Sequence, residues 1–203
     1  MEEKKEYYLE QIGKLFLRYG LRGITMEEIS DELGVSKKTI YNYFESKADI
    51  VDMLLQRHLS NKNESMWEEI SHGKNAIEIL IGITNLMKET IQDIPPLVKR
   101  DLVKHFPLQL KKSNEELKNK IYEYIKQNVL TGIDQGLYRS NLNVELIARH
   151  YVVSFDRYIR QEVMDGIDFS IDAYYEEILS YHIRGIATLK GVKILEKIID
   201  PTN

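Results

Sequence analysis

At 203 residues, 43% hydrophobic and 30% charged, the chain is long enough for one mid-sized domain, or a small domain fused to a larger one, and has an ordinary water-soluble composition. The absence of cysteine excludes disulfides, thiolate metal sites and a cysteine nucleophile. A net charge of −4 excludes a broadly basic surface, so any nucleic-acid contact must rest on local placement of cations. The opening MEEKKEYYLE has no apolar core of the kind a secretion signal needs, and no stretch approaches about 18 uninterrupted apolar residues. Neither secretion nor membrane spanning is expected; a cytoplasmic location is.

In chain order, residues 3–19 predict a helix, with Leu9, Ile12, Leu15, Phe16 and Tyr19 at helical spacing and Gly20 as its stop. Next comes Thr25-Met-Glu-Glu28, a capping box: the threonine hydroxyl accepts from the backbone three residues on, and the glutamate reaches back to the cap. Ile29 and Leu33 share a face of the short helix that follows, which Gly34 ends where a positive φ is cheap. Val35 fills the turn, and Ser36 caps a second short helix predicted over Lys37–Phe44, with Ile40 and Phe44 inward. Its other side carries Lys37, Lys38, Thr39, Tyr41, Asn42 and Tyr43. Two short helices joined by a glycine turn, the second polar, aromatic and cationic outside, describe a helix-turn-helix with its reading helix second.

Each outward residue type suits a duplex. Thr39 and Asn42 can hydrogen-bond base edges, asparagine matching adenine, and the Tyr41 ring can pack on a thymine methyl or donate to a phosphate. Thr25, Tyr43 and Lys47 suit phosphate oxygens. Residues 1–60 hold nine Lys/Arg against eleven Asp/Glu, yet from 36 to 47 Lys37, Lys38 and Lys47 face only Glu45. Modest, salt-sensitive DNA affinity is the expectation.

The run G-V-S-K-x-T-I-Y-x-Y-F-x-S-K-x-D-I at residues 34–50 resembles the signature of TetR-family transcriptional regulators. Phe16-x-x-x-Gly20-x-x-x-Ile24-Thr25 and Ile29 support it upstream, and the resemblance covers about residues 8–55. It implies an all-α fold: a three-helix DNA-binding domain at 1–46, then a larger ligand-binding and dimerisation bundle at 47–203, entered through a linking helix at 47–71. Thr25, Ser36, Lys37, Lys38, Thr39, Tyr41, Asn42, Tyr43 and Lys47 form the DNA-facing set. The resemblance supports Tyr41, Tyr43 and Lys47 most directly, with Lys47 in a helix first turn set against a phosphate. Lys38 stands where the family commonly has glycine, which puts operator preference there in question. The implied partners are a palindromic double-stranded operator, a second copy of the chain, and a small-molecule effector of unknown identity.

Ser46-x-x-Asp49 predicts the start of that linking helix, with Ile50, Met53, Leu54, Arg57, Met66, Trp67 and Ile70 along its apolar side. Helices follow over 74–93, a short piece after Pro95-Pro96, 108–135, 143–164 from an Asn143 cap, 171–190 from Ser170, and 192–199. Apolar and aromatic positions on more than one face of the 143–164 and 171–190 helices, among them Tyr151, Val152, Phe155, Tyr158, Ile159, Tyr174, Tyr175, Ile178, Leu179, Tyr181 and Ile186, need burial on two sides. A dimer seam is the simplest second partner; a thicker monomer core is the alternative. Trp67, Met87, Phe106, Tyr122, Tyr124, Tyr151 and Phe155, with Asn85, Gln109 and Asn128, could line an effector pocket or simply fill core, and no ligand-binding residue is assigned.

Glu69-x-x-His72 has the spacing of a carboxylate-bridged di-iron helix, but no second such pair exists, so no metal or cofactor is expected. There is no glycine-rich phosphate loop and no G-x-S-x-G elbow, so no catalytic residue is assigned. The function read from the chain is a ligand-responsive DNA-binding regulator, a repressor released from its operator by a small-molecule inducer. The alternative is a helical small-molecule-binding or enzymatic bundle with a vestigial helix-turn-helix.

Overall fold

In the computed structural model, residues 2–159 and 171–199 are described, apart from the side chains of 61–69, 87, 88, 90–92, 155–159 and 171–175. Among the described residues the chain is helical throughout: α1 (Glu2–Tyr19), α2 (Met26–Glu32), α3 (Lys37–Tyr41), α4 (Lys47–Ser71), α5 (Ala76–Gln92), α6 (Pro96–His105), α7 (Pro107–Asp134), α8 (Val144–Ile159), α9 (Ile171–Ile186) and α10 (Leu189–Ile199). None of these helices is long and apolar enough to cross a membrane. The all-α reading holds. Two compact units form, one from Met1–Glu64 with Gln92–Leu117, the other from Ser65–Ile91 with Lys118–Asn203.

The first unit is built around a single apolar cluster. Leu9, Ile12 and Phe16 of α1 meet Ile29 of α2, Ile40 and Phe44 of the α3 segment, Ile50 and Val51 of α4, and Leu102 of α6. Full burial of such a side chain contributes about 1.5–3 kcal/mol, so this cluster fixes how α2 and α3 sit on α1. The ends of the helices are set locally. The capping box is formed, with Glu28 N–H donating to Thr25 Oγ1 (3.2 Å) and Thr25 N–H to Glu28 Oε2 (2.7 Å). At α4, Asp49 N–H donates to Ser46 Oγ (3.1 Å), the expected cap, and the Asp49 carboxylate accepts at 3.1 Å from the N–H of Glu45, the residue before that cap.

The second unit centres on a buried polar knot. Asn128 Nδ2 of α7 donates to the Ala76 carbonyl at 2.7 Å, and the Tyr138 hydroxyl lies 3.0 Å from that carbonyl and 3.2 Å from Asn128 Oδ1. These bonds satisfy groups that would otherwise be costly inside Ile77, Leu80, Ile121, Ile125 and Val129. Asn128 is therefore a structural tie between α5 and α7.

Several boundaries differ from the sequence expectation. Helix α5 starts at Ala76 because Asn75 caps it: Asn75 Oδ1 accepts from Ile77 N–H (3.0 Å) and Glu78 N–H (3.2 Å), while Asn75 N–H donates to Glu78 Oε2 (2.8 Å). The predicted 171–190 helix ends at Ile186, since Ala187 leaves it to form an isolated antiparallel bridge with Tyr138. Arg139 N–H donates to the Ile186 carbonyl (3.0 Å) and Thr188 N–H to that of Leu137 (2.9 Å). The Thr188 hydroxyl then caps α10 through Gly191 N–H (3.3 Å), so the last helix begins at Leu189 and not at Val192. Asn143 caps α8 as expected, accepting from Leu146 N–H at 3.1 Å. The predicted end of that helix near Met164 and the Ser170 cap lie outside the described residues.

Candidate nucleic-acid interface

The helix-turn-helix is held by its turn. Gly34 adopts φ 64°, a conformation that side chains disfavour, and Val35 N–H closes back on the Ser30 carbonyl at 3.0 Å. Ser36 Oγ then accepts from Thr39 N–H (3.1 Å) and lies 2.8 Å from Thr39 Oγ1, starting α3. The reading helix is shorter than the predicted Lys37–Phe44. Regular α-helix ends at Tyr41, and a tightened turn follows, with Tyr43 N–H and Phe44 N–H both donating to the Ile40 carbonyl at 3.0 and 3.1 Å. That turn drops Phe44 into the core at 1% exposure beside Ile40 at 0%.

With two apolar anchors inside, the rest of the segment faces out. Lys37, Lys38, Tyr41 and Asn42 are exposed, Tyr41 at 45%, and Thr39 is half-buried. These residues share one surface with Ser36. Lys37 Nζ is 3.9 Å from Glu27 Oε2, a loose exposed pair that leaves its charge available. Thr25 is exposed at the start of α2, its hydroxyl committed to the Glu28 carboxylate (2.8 Å). That same contact, with the Thr25 backbone N–H foremost, holds the Glu28 carboxyl below its usual range.

Two members of the set are anchored inward. The Tyr43 ring packs on Tyr8 of α1, centroids 5.3 Å apart, so only part of it reaches the surface. The Lys47 ammonium donates to the Ile24 carbonyl and lies 5.6 Å from the Phe16 ring centroid. Burial pulls Lys47 below the usual lysine range, opposed by the Asp101 and Glu28 carboxylates. Its ammonium thereby ties the start of α4 to the end of the α1–α2 connection. A residue that composition did not mark works beside it: Asp101 of α6, 3% exposed, accepts from Arg22 N–H at 3.0 Å. Local sequence carries no signal for a contact 79 residues distant. Among the described residues no cluster of His, Asp and Glu could hold a metal ion.

A helix pair with a glycine turn, a buried inner face and an outer face of lysine, tyrosine and asparagine defines a helix-turn-helix DNA-binding protein. The family profile described as "Bacterial regulatory proteins, tetR family" matches residues 9–54. The chain belongs to that family and is a DNA-binding transcriptional regulator. It is 28% identical over 144 residues to the HTH-type transcriptional repressor KstR2 of Mycobacterium tuberculosis, covering 70% of this chain and 72% of that one. It is 26% identical over 196 residues to the fatty acid metabolism regulator protein of Bacillus subtilis, covering 92% and 98%. Its fold is shared with a putative transcriptional regulator from Saccharomonospora viridis crystallised with choline, at TM-score 0.70 and 21% identity over 93% of this chain and 100% of that one.

Proposed function

We propose that the chain is a homodimeric repressor that a small molecule releases from a palindromic operator. The observation that carries this reading is the α3 surface: Lys37, Lys38, Tyr41 and Asn42 stand exposed on a segment pinned from behind by Ile40 and Phe44. Lys37, Lys38 and Tyr41 position the helix on phosphates, with Thr25, Ser36 and Tyr43 at its flanks, while Thr39 and Asn42 read base edges. Lys47 contributes through its charge at the first turn of α4. Residues 1–46 act as the DNA-binding domain and 47–203 as the effector and dimerisation domain. Apolar side chains left exposed on α8 and α9, Leu146 at 63%, Val153 at 54%, Ile178 at 45% and Tyr181 at 76%, support a second copy as their partner. Two-fold symmetry would then set paired reading helices about 34–36 Å apart, one turn of duplex. The repressor names among the relatives favour repression over activation. An effector would act by binding more tightly to a dimer whose reading helices are spaced wrongly for DNA.

Fluorescence-anisotropy titration of the purified protein against the DNA upstream of its own gene tests this. Binding should weaken as salt rises, and Lys38→Ala should lower the salt slope by about one per subunit on every sequence. Asn42→Ala should instead relax preference at one base position per half-site. No binding at low salt, with the protein folded, would reject the reading in favour of a vestigial helix-turn-helix.

A further inference from the structure

The first compact unit contains a cleft of about 320 Å³ that no DNA contact uses. Its walls come from α1, α4 and the stretch from Asp93 into α6. Phe16, Val51 and Leu102 are fully buried at its base, while Leu54, Leu55 and Val98 are half-buried around it. Where α1 passes α4, a Cβ at Gly13 would lie 3.2 Å from Leu54 Cδ2, a tight contact that would press that side chain by a few tenths of an ångström. An apolar cavity of about 150 Å³ holds benzene, so this volume suits a molecule of bicyclic size, at the small end of ligand pockets.

Charge decides the ligand class. The titratable side chains around the cleft are Glu10, Lys14, Arg57, His58 and Asp93. Lys14 Nζ is 2.8 Å from Glu10 Oε1, and Arg57 Nη1 is 2.9 Å from Glu6 Oε1. An anionic ligand would have to displace one of these carboxylates and also surrender its own hydration to leucine, valine and phenylalanine walls. An uncharged one disturbs neither pair. We infer that the cleft between α1, α4 and α6 is a binding site for a compact, uncharged, apolar molecule of about two fused rings. The three helices that line it also supply the core on which Ile40 and Phe44 rest, so occupancy braces the unit that carries the reading helix. Any regulatory meaning of that bracing rests on the operator reading above; the site itself does not.

The test is a titration of the full chain, without DNA, with naphthalene and separately with sodium 2-naphthoate. Methyl NMR would follow Leu54, Leu55 and Val51. Naphthalene should shift these methyls saturably, with 2-naphthoate at least tenfold weaker. Val98→Phe and, on the α4 wall, Leu55→Phe each fill the cleft and should weaken naphthalene at least tenfold while circular dichroism stays that of the parent. The inference is overturned if the methyls fail to saturate, if the folded variants bind as the parent does, or if the carboxylate binds as tightly as the hydrocarbon. A failure here leaves the operator titration untouched, and a failure to bind operator leaves this site standing.

Discussion

Replacing Asp101 by alanine removes the only contact that holds the α1–α2 connection to α6 by a carboxylate among the described residues. In the parent, Asp101 Oδ2 accepts from Arg22 N–H at 3.0 Å and Oδ1 lies 3.5 Å from Arg100 Nη2, with the residue 3% exposed. A hydrogen bond to a charged acceptor contributes about 1.5–3 kcal/mol net. Arg100 is largely exposed and its pairing adds little, so the loss rests on the Arg22 bond. The expected cost is about 2 kcal/mol, which for a chain of this length lowers the melting midpoint by about 4–8 °C. Asp101→Asn keeps an acceptor without the charge and should cost about half as much. The dependence on pH follows from the direction of the carboxyl shift. The Arg22 backbone donor foremost, then the Arg100 charge, holds Asp101 below its ordinary 3.8. Its contribution is therefore fully present above pH 4 and is lost as pH falls through the lower folded value. Urea unfolding of the parent and the alanine variant at pH 7, 5 and 3 would show a gap that is constant at the first two and narrower at the third. A gap below about 0.5 kcal/mol at pH 7, or one that widens in acid, would refute the reasoning.

Other outcomes follow from the same geometry. A Cβ at Gly132 would meet Tyr138 Cδ2 at 2.1 Å, and the ring is tied through its hydroxyl, so Gly132→Ala should cost about 3 kcal/mol by overpacking; an unchanged urea midpoint would contradict it. Thr25→Ala breaks the capping box of α2 and should destabilise by about 1 kcal/mol, with faster amide exchange at Glu28, whereas Thr25→Ser should leave both near the parent. His182, half-buried and stacked on His150 with ring centroids 5.2 Å apart, is pulled down to about 4, by loss of hydration first and by the His150 charge second. An unfolded histidine protonates near 6.5, so stability should fall as pH drops from about 6.5 toward 4, and NMR titration of the His182 ring should give its midpoint near the lower value. A midpoint above 6 would mean the ring is hydrated.

Sequence by itself determined whatever depends on neighbours a few residues apart. The Thr25–Glu28 and Ser46–Asp49 caps, the Gly34 turn and the inward pair Ile40 and Phe44 are i to i+3 and i to i+4 relations, so the helix-turn-helix and its exposed Lys37, Lys38, Tyr41 and Asn42 were legible from spacing alone, whereas the packing of Tyr43 on Tyr8 was not. The Asn75–Glu78 cap carried the same signal, and it moved the start of α5 by two residues from the expected Lys74. Tertiary structure decided the rest. Asp101 finding Arg22, Asn128 finding Ala76, and Ala187 leaving α9 to pair with Tyr138 join residues 49 to 79 apart, and nothing in the local pattern of either partner announces the other. Lys47 shows the division within one side chain. Its position at the start of a helix is written in the sequence, but whether its ammonium reaches outward or caps the Ile24 carbonyl depends on where α1 and α2 come to rest against α4. Distances along a chain set propensity and pattern; burial and pairing at long range are properties of the packed molecule.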